Sequence, residues 1–258
     1  MKVVSLASGS HGNAYVVEHA GAALLIDCGL TLRTLRGRVA DCGAGALPPC
    51  PLAVLLTHAH GDHTAGLPRL LKCHPEIPVF ANAMTAEAVA HEFAIDESAF
   101  VCFENGQPFD VGPFTVLPFS IPHDTNDPVG YLVKADGMTY FHGTDIGTPL
   151  DSIGVRFAEA DCATLESNHD PVMLRQSGRP PCLVQRIAGP RGHLSNDQAC
   201  DLVRRFASPR LKRLALAHLS RDCNSPHLAE VAMRETLTAL RRPDIALTVL
   251  TQDEVVLV

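Results

Sequence analysis

Four side chains able to bind metal ions fall within six residues: His58, His60, Asp62 and His63, in the run THAHGDH. Imidazole and carboxylate groups are common ligands of divalent zinc and its first-row neighbours. On chain leaving a strand, residues two apart point the same way, so His58 and His60 can approach one cation while Ala59 faces away. Gly61 permits a sharp turn. Asp62 then stands at the start of a short helix running through Leu67, Leu70 and Leu71, and with His63 it can face a second cation beside the first. One segment therefore offers two adjacent half-sites. The plainer alternative is two surface histidines and a capping aspartate. The strand, turn and helix that frame the motif argue against it, because such context is what gives a short motif its weight.

The element that must position these residues is a buried strand. Residues 52–57, LAVLLT, form an apolar run of strand length that stops at His58. Three other apolar runs end in the same way. The run 114–121 gives way to Pro122 and His123, the run 138–141 leads through Gly143 and Thr144 to Asp145, and the run 211–217 ends at His218. Four expected strands thus each deliver a metal-capable residue at the carboxyl end, the edge at which open sheets covered by helices place their ligands.

Around them, residues 3–6 and 14–18 flank a Gly/Ser turn as a hairpin, 22–26 is a strand ending at Asp27, and 31–39 is a short helix. Strands are expected over 77–81, 100–103, 129–134 and 160–165, with a helix over 85–93 and a helical stretch carrying Arg175, Arg179 and Arg186. Ser195 with Gln198 reads as a capping box opening a helix through Leu202, Val203 and Phe206. Ser225-Pro226 opens the last long helix, and 245–250 and 255–258 close the fold as strands. His193 stands just ahead of the helix that Ser195 caps, where free N–H groups and the helix dipole favour an anion. That makes it a candidate phosphate clamp. The competing reading is that Ser195 and Asn196 only cap the helix and His193 packs beside it.

A chain of 258 residues is long enough for one large domain with two packed sheets, and no linker or low-complexity tract divides it, so residues 1–258 are expected to form a single domain. The start, MKVVSLASGS, reads as neither a secretory signal nor a membrane span, which leads to a cytoplasmic expectation with no membrane contact. Nine cysteines without a CxxC pair suit reduced, mostly buried thiols. Lys and Arg number 21 against 28 Asp and Glu, a formal charge of −7 that argues against a surface coated with nucleic acid. It leaves room for a phosphate-bearing substrate, because bound metal ions add positive charge that the sum omits.

HxHxDH behind a buried strand resembles the metallo-β-lactamase superfamily, where the motif supplies ligands to both ions of a dinuclear centre. The resemblance implies an α/β chain folded as a four-layer αββα sandwich. It implies two divalent metal ions, Zn or Mn: His58, His60 and His123 on one, Asp62, His63 and His218 on the other, with Asp145 bridging. Asp27 would support the site without binding metal.

A narrower set of motifs, SGSHGN at 8–13, LLIDCGL at 24–30, IPHDTNDPVGY at 121–131, GTDIG at 143–147, LESNHD at 165–170, RGHLSN at 191–196 and LAHLS at 216–220, is similar to the YycJ/WalJ family of 5′-to-3′ DNA exonucleases. This likeness covers nearly the whole chain and implies hydrolysis of phosphodiester bonds in DNA. A hydroxide bridging the two ions would be the nucleophile, Asp62 would help to orient it, and His193 would stabilise charge on the scissile phosphate. Asp62 and His193 are thus the expected catalytic residues, and His193, Ser195, Asn168, His169 and Arg191 the expected substrate contacts. Arg175, Arg179, Arg186 and Arg191 are candidates for lining a path for the backbone, the plainer alternative being a solvated helix face.

The sequence departs from the family in two respects. The family commonly has aromatic residues between its last two long motifs, where this chain has Gly178-Arg179-Pro180-Pro181-Cys182, and the chain has no Trp. His11 stands where the family often has serine, and a surface loop is the expected place for it. Two other functions stay open at this stage. One is a small-molecule hydrolase acting on a cyclic or nucleotide phosphodiester, a thioester or a lactone; the other is a non-catalytic partner in cell-envelope signalling. The sequence leaves the oligomeric state undetermined.

Overall fold

The computed structural model describes residues 1–43 and 50–258. In chain order its first half runs β1 (Lys2–Ala7), β2 (Ala14–His19), β3 (Ala22–Ile26), α1 (Leu32–Asp41), β4 (Ala53–Leu55), α2 (Gly61–Thr64), α3 (Leu67–Cys73), β5 (Val79–Asn82), α4 (Ala83–Phe93) and β6 (Phe100–Phe103). The chain continues with β7 (Phe109–Val111), β8 (Phe114–Ser120), β9 (Val129–Ala135), β10 (Met138–Gly143), α5 (Asp151–Phe157), β11 (Cys162–Glu166), α6 (Pro171–Gln176) and α7 (Pro181–Ile187). It ends with α8 (Asn196–Phe206), β12 (Arg213–Ala217), α9 (Pro226–Ala239), β13 (Ala246–Val249) and β14 (Val256–Leu257).

The strands form two sheets, ordered β14-β1-β2-β3-β4-β5-β6 and β13-β12-β11-β10-β9-β8-β7. Each begins as an antiparallel meander and turns parallel, from β3 through β6 in the first sheet and from β10 through β13 in the second. Parallel neighbours require crossover connections, and the helices supply most of them.

Central strands covered on both faces read as unbroken apolar runs, because both parities are buried. In β3, Leu24 and Ile26 join the cluster between the sheets, while Ala23 and Leu25 join the one under α1, α3 and α4. The inter-sheet cluster combines Val3, Tyr15 and Leu55 with Phe114, Val129, Tyr131 and Tyr140. A third cluster packs the second sheet against α5, α8 and α9 through Phe157, Leu202, Val203, Met233 and Leu237. Fully burying one such side chain contributes about 1.5–3 kcal/mol. The layers are helix, sheet, sheet, helix, the αββα sandwich that the family resemblance implied.

Several expected elements differ in detail. The helix expected from Asp62 through Leu71 is two helices, α2 and α3, because a Cβ on Gly66 would lie 1.8 Å from the Leu30 carbonyl oxygen and the Gly66 N–H donates to the Cys28 carbonyl. The helical stretch carrying Arg175, Arg179 and Arg186 is likewise α6 and α7, parted by Gly178 at φ +70° and by the Pro180-Pro181 pair. Ladder pairing of β4 ends at Leu55; the Leu56 N–H still donates to the Phe80 carbonyl of β5, but the carbonyls turn to the other sheet, that of Thr57 accepting from the Val129 N–H and that of Leu56 from Tyr131 Oη. Strand β7 carried no signal strong enough to anticipate. Of the nine cysteines, Cys28, Cys162, Cys200 and Cys223 are buried, whereas Cys73, Cys102 and Cys182 are exposed, so the mostly buried expectation holds for four. No helix among the described residues is long and apolar enough to cross a membrane.

Candidate metal centre

The carboxyl ends of β3, β4, β8, β10, β11 and β12 meet at one edge of the sandwich, and each hands over a polar side chain. Three of these residues, Asp27, Asp145 and His218, have left-handed backbone at φ +60°, +58° and +56°. Non-glycine residues rarely adopt that region, and such strain persists where surrounding contacts over-determine it, often at functional sites.

The ring nitrogens of His58, His60 and His123 lie within 4.8 Å of one another, with His58 Nε2 3.1 Å from His60 Nδ1. Ligand atoms of Asp62, His63 and His218 form a second group on the same criterion, and His58, His63 and Asp145 a third. Asp145 stands between the first two groups: Oδ2 is 3.2 Å from His63 Nε2 and Oδ1 is 3.7 Å from His123 Nε2. Two buried atoms in this cluster, Asp145 Oδ2 and His218 Nε2, have no hydrogen bond. Buried polar atoms are rarely left unmatched. A donor set of imidazoles and carboxylates with orphaned atoms at its centre fits divalent cations.

Second contacts occupy one ring nitrogen of His58, His63, His123 and His218 and leave the other turned to the cluster. Asp27 Oδ2 lies 2.7 Å from His63 Nδ1, and Asp27 Oδ1 accepts the Thr57 N–H at 2.9 Å. Thr57 Oγ1 is 2.9 Å from His58 Nδ1, and His123 Nδ1 is 2.9 Å from the Gly192 carbonyl oxygen. Glu166 Oε1 reaches His193 Nδ1 at 2.9 Å and His218 Nδ1 at 3.1 Å, while Oε2 accepts the N–H groups of Ile146 and Leu194.

The charges divide accordingly. Burial pushes the His58 imidazolium well below its ordinary pKa, and neighbouring His63 adds to the effect. Burial acts in the same sense on His63, but Asp27, Asp62 and Asp145 outweigh it and hold the pKa well above the ordinary value. His218 is raised to about 10, since Asp145, Asp62 and Glu166 overcome burial. Burial would raise Glu166, yet His193 and His218 bring it down to about 2.

Of the residues expected to touch substrate, His193 and Asn168 line a groove of about 200 Å³ beside the cluster, together with Ser10, Arg179 and Arg186. The Asn168 amide also donates to the His218 carbonyl, so it braces the chain just beyond β12. Ser195 forms a capping box with Gln198, so its hydroxyl is engaged in the helix cap. His169 is buried, and its backbone bridges to Ser195. Arg191 donates to the carbonyls of His123 and Thr125 and braces the loop that carries His123. Arg179 pairs with Asp222 and Arg186 with Asp124. His11 is exposed, as expected of a surface loop, and its backbone N–H donates to Gln252.

Glu166 is the main residue that sequence reasoning passed over. It closes β11 as a polar residue after a buried run, the same signal that marks His123, Asp145 and His218. Asn13, whose amide nitrogen lies 3.1 Å from His63 Nε2 and 3.3 Å from Asp62 Oδ2, had no comparable signal beyond its Gly-rich turn.

The beta-lactamase superfamily domain matches residues 23–218 of the chain. Exodeoxyribonuclease WalJ of Streptococcus pneumoniae is 31% identical over 231 residues, covering 88% of this chain and 85% of that protein. Exodeoxyribonuclease YycJ of Bacillus anthracis is 30% identical over 235 residues, covering 90% and 87%. The crystal structure of the metallo-beta-lactamase fold protein YhfI from Bacillus subtilis superposes with a TM-score of 0.69 at 17% identity, over 99% of both chains.

Proposed function

The chain belongs to the beta-lactamase superfamily and, within it, to the YycJ/WalJ type, and from that premise we propose that this metal-dependent hydrolase is a 5′-to-3′ DNA exonuclease that works with two divalent cations. The observation that carries the reading is the meeting of two ligand trios at Asp145, directly beside the groove that His193 lines. One apolar cluster draws on strands of both sheets, which supports reading residues 1–258 as one catalytic domain.

In this reading His58, His60 and His123 hold one ion, Asp62, His63 and His218 the other, and Asp145 serves both. When bound, such a pair activates water near neutral pH and neutralises phosphate charge. The side chains do the rest. Asp62 faces the same space as His218, 3.5 Å from its Nε2, and orients the attacking water. Burial alone would lower the His193 pKa, but Glu166, which takes Nδ1, outweighs it and raises the pKa, favouring the charged ring. Its Nε2 proton is then free to bond a phosphate oxygen in the transition state. Among the described residues the groove is lined by polar and aliphatic side chains and His193, without Phe, Tyr or Trp. A strand held there is gripped by its backbone more than by base stacking.

The test uses purified protein loaded with Zn²⁺ or Mn²⁺, DNA labelled at either end, and His60→Ala as control. Metal-dependent release of mononucleotides from the 5′ end, absent in the control, is the expected result. Intact DNA alongside cleavage of a small phosphodiester such as bis(p-nitrophenyl) phosphate would assign the centre to small-molecule hydrolysis instead.

A further inference from the structure

Four of the five histidines in the two trios have their remaining ring nitrogen engaged: His58 by Thr57, His63 by Asp27, His123 by the Gly192 carbonyl and His218 by Glu166. His60 is the exception. Its Nδ1 is turned toward His58 Nε2, which leaves Nε2 on the outer side of the trio, without a hydrogen bond among the described residues. Asp124 Oδ1 faces that nitrogen at 3.8 Å. This oxygen is itself buried and has no hydrogen-bond partner. An unmatched donor therefore faces an unmatched acceptor across a gap that a shift of less than about 1 Å closes to hydrogen-bond length.

We infer that Asp124 is a positioning residue for His60: Oδ1 accepts the His60 Nε2 proton and so holds Nδ1 toward the cation site shared with His58 and His123, while Arg186 fixes the carboxylate through Oδ2. The inference rests on the two-cation reading above. The turn that delivers His123 also delivers Asp124, the next residue, and its Oδ1 is 3.3 Å from His123 Nε2, so its negative charge borders the cation position as well. Arg186 Nε meets Oδ2 at 2.5 Å. A carboxylate on the outer nitrogen of a ligand histidine fixes its tautomer, orients the ring and raises its basicity. Arg186 sits on α7 with 63% of its side chain exposed and lines the groove. The series Arg186, Asp124, His60 thus ties the wall of the substrate groove to the three-histidine site.

The test compares wild type, Asp124→Ala, Asp124→Glu and Arg186→Ala. Zn²⁺ and Mn²⁺ affinities are read by chelator competition, and the His60 ring proton by ¹H–¹⁵N correlation in the Zn²⁺-loaded protein. Wild type should bind two ions per chain and show a slowly exchanging His60 Nε2 proton. Asp124→Ala should weaken one of the two ions by about 10–100-fold, leave the other unchanged and release that proton to fast exchange. Asp124→Glu should restore part of both effects. Arg186→Ala, a surface substitution that leaves the core intact, should weaken the same ion by a smaller factor. A folded Asp124→Ala with both affinities and the His60 proton unchanged overturns the inference, and so does an unaffected Arg186→Ala if Asp124→Ala does not fold. A wild type that takes up fewer than two ions overturns the two-cation reading itself, a failure distinct from the other two.

Discussion

Asp27 Oδ2 lies 2.7 Å from His63 Nδ1, and both side chains are fully shielded from water. Asp27 also accepts the backbone N–H and the hydroxyl of Thr57, whose Oγ1 touches His58 Nδ1. One carboxylate thereby orients a ring of each trio, His63 directly and His58 through the Thr57 hydroxyl. Asp27→Asn keeps the shape but presents an uncharged group to His63. Metal affinity should fall by about 10–100-fold, measured by chelator competition. Asp27→Ala should in addition lower stability by about 1–3 kcal/mol, because it leaves the buried Thr57 donors unmatched. Unchanged metal affinity in both variants would show that Asp27 serves packing alone.

His193 Nδ1 lies 2.9 Å from Glu166 Oε1, closer than the 3.4 Å to Asp145 Oδ1. Replacing His193 with Ala should lower turnover by about 10²–10³-fold with metal content unchanged, and loss of metal would refute its proposed role. The same contact has a consequence for pH. The raised pKa extends the imidazolium to higher pH than an ordinary histidine would, so activity that needs the Nε2 proton should fall as pH rises through that raised pKa. Glu166→Gln removes the charge that sustains the shift. The alkaline limb of kcat, measured at saturating metal because Glu166 also contacts His218, should therefore move to lower pH.

Metal uptake should release protons. In chelator-treated protein the carboxylates hold His218 at about 10, so that ring is protonated at pH 7.5, and they also hold His63 well above its ordinary pKa. A ligand imidazole must be neutral. Binding two ions should then expel up to about two protons per chain, and affinity should rise with pH. Titration calorimetry in buffers of different ionisation enthalpy reads the number, and buffer-independent heats would exclude His63 and His218 as ligands.

The legible part of this molecule is the part written in local sequence. Apolar runs ending in His58, His123, Asp145 and His218 reveal strands and site together, because a buried strand and the polar residue that closes it are neighbours along the chain. The cap at Ser195 and Gln198 is legible for the same reason. What escaped depends on distant partners. Nothing near Arg191 says that its guanidinium will meet the carbonyls of His123 and Thr125, and nothing near Glu166 says that it will stand between two histidines from separate loops. The division of α2 from α3 is also tertiary, since the obstacle to a side chain at Gly66 is the carbonyl of Leu30.

That last contact yields a paired prediction about glycines. The loop bearing the metal motif is joined to residues 28–30 by backbone bonds, Cys28 N–H to the His63 carbonyl and Gly66 N–H to the Cys28 carbonyl. A Cβ at Gly66 would fall 1.8 Å from the Leu30 oxygen, which is backbone and cannot rotate away. Gly66→Ala should cost about 1–3 kcal/mol. It should also weaken metal binding, because the displaced segment carries Asp62 and His63. Gly37, on the exposed face of α1, has nothing within 4 Å of the same added atom. There Gly→Ala removes only the entropy of a flexible residue and should raise stability by about 0.4–1 kcal/mol with metal affinity unchanged. Denaturant unfolding of both variants decides the matter. Equal effects at the two positions would mean that the segment relaxes around Gly66 and that backbone contact with residues 28–30 does not hold the metal-binding loop in place.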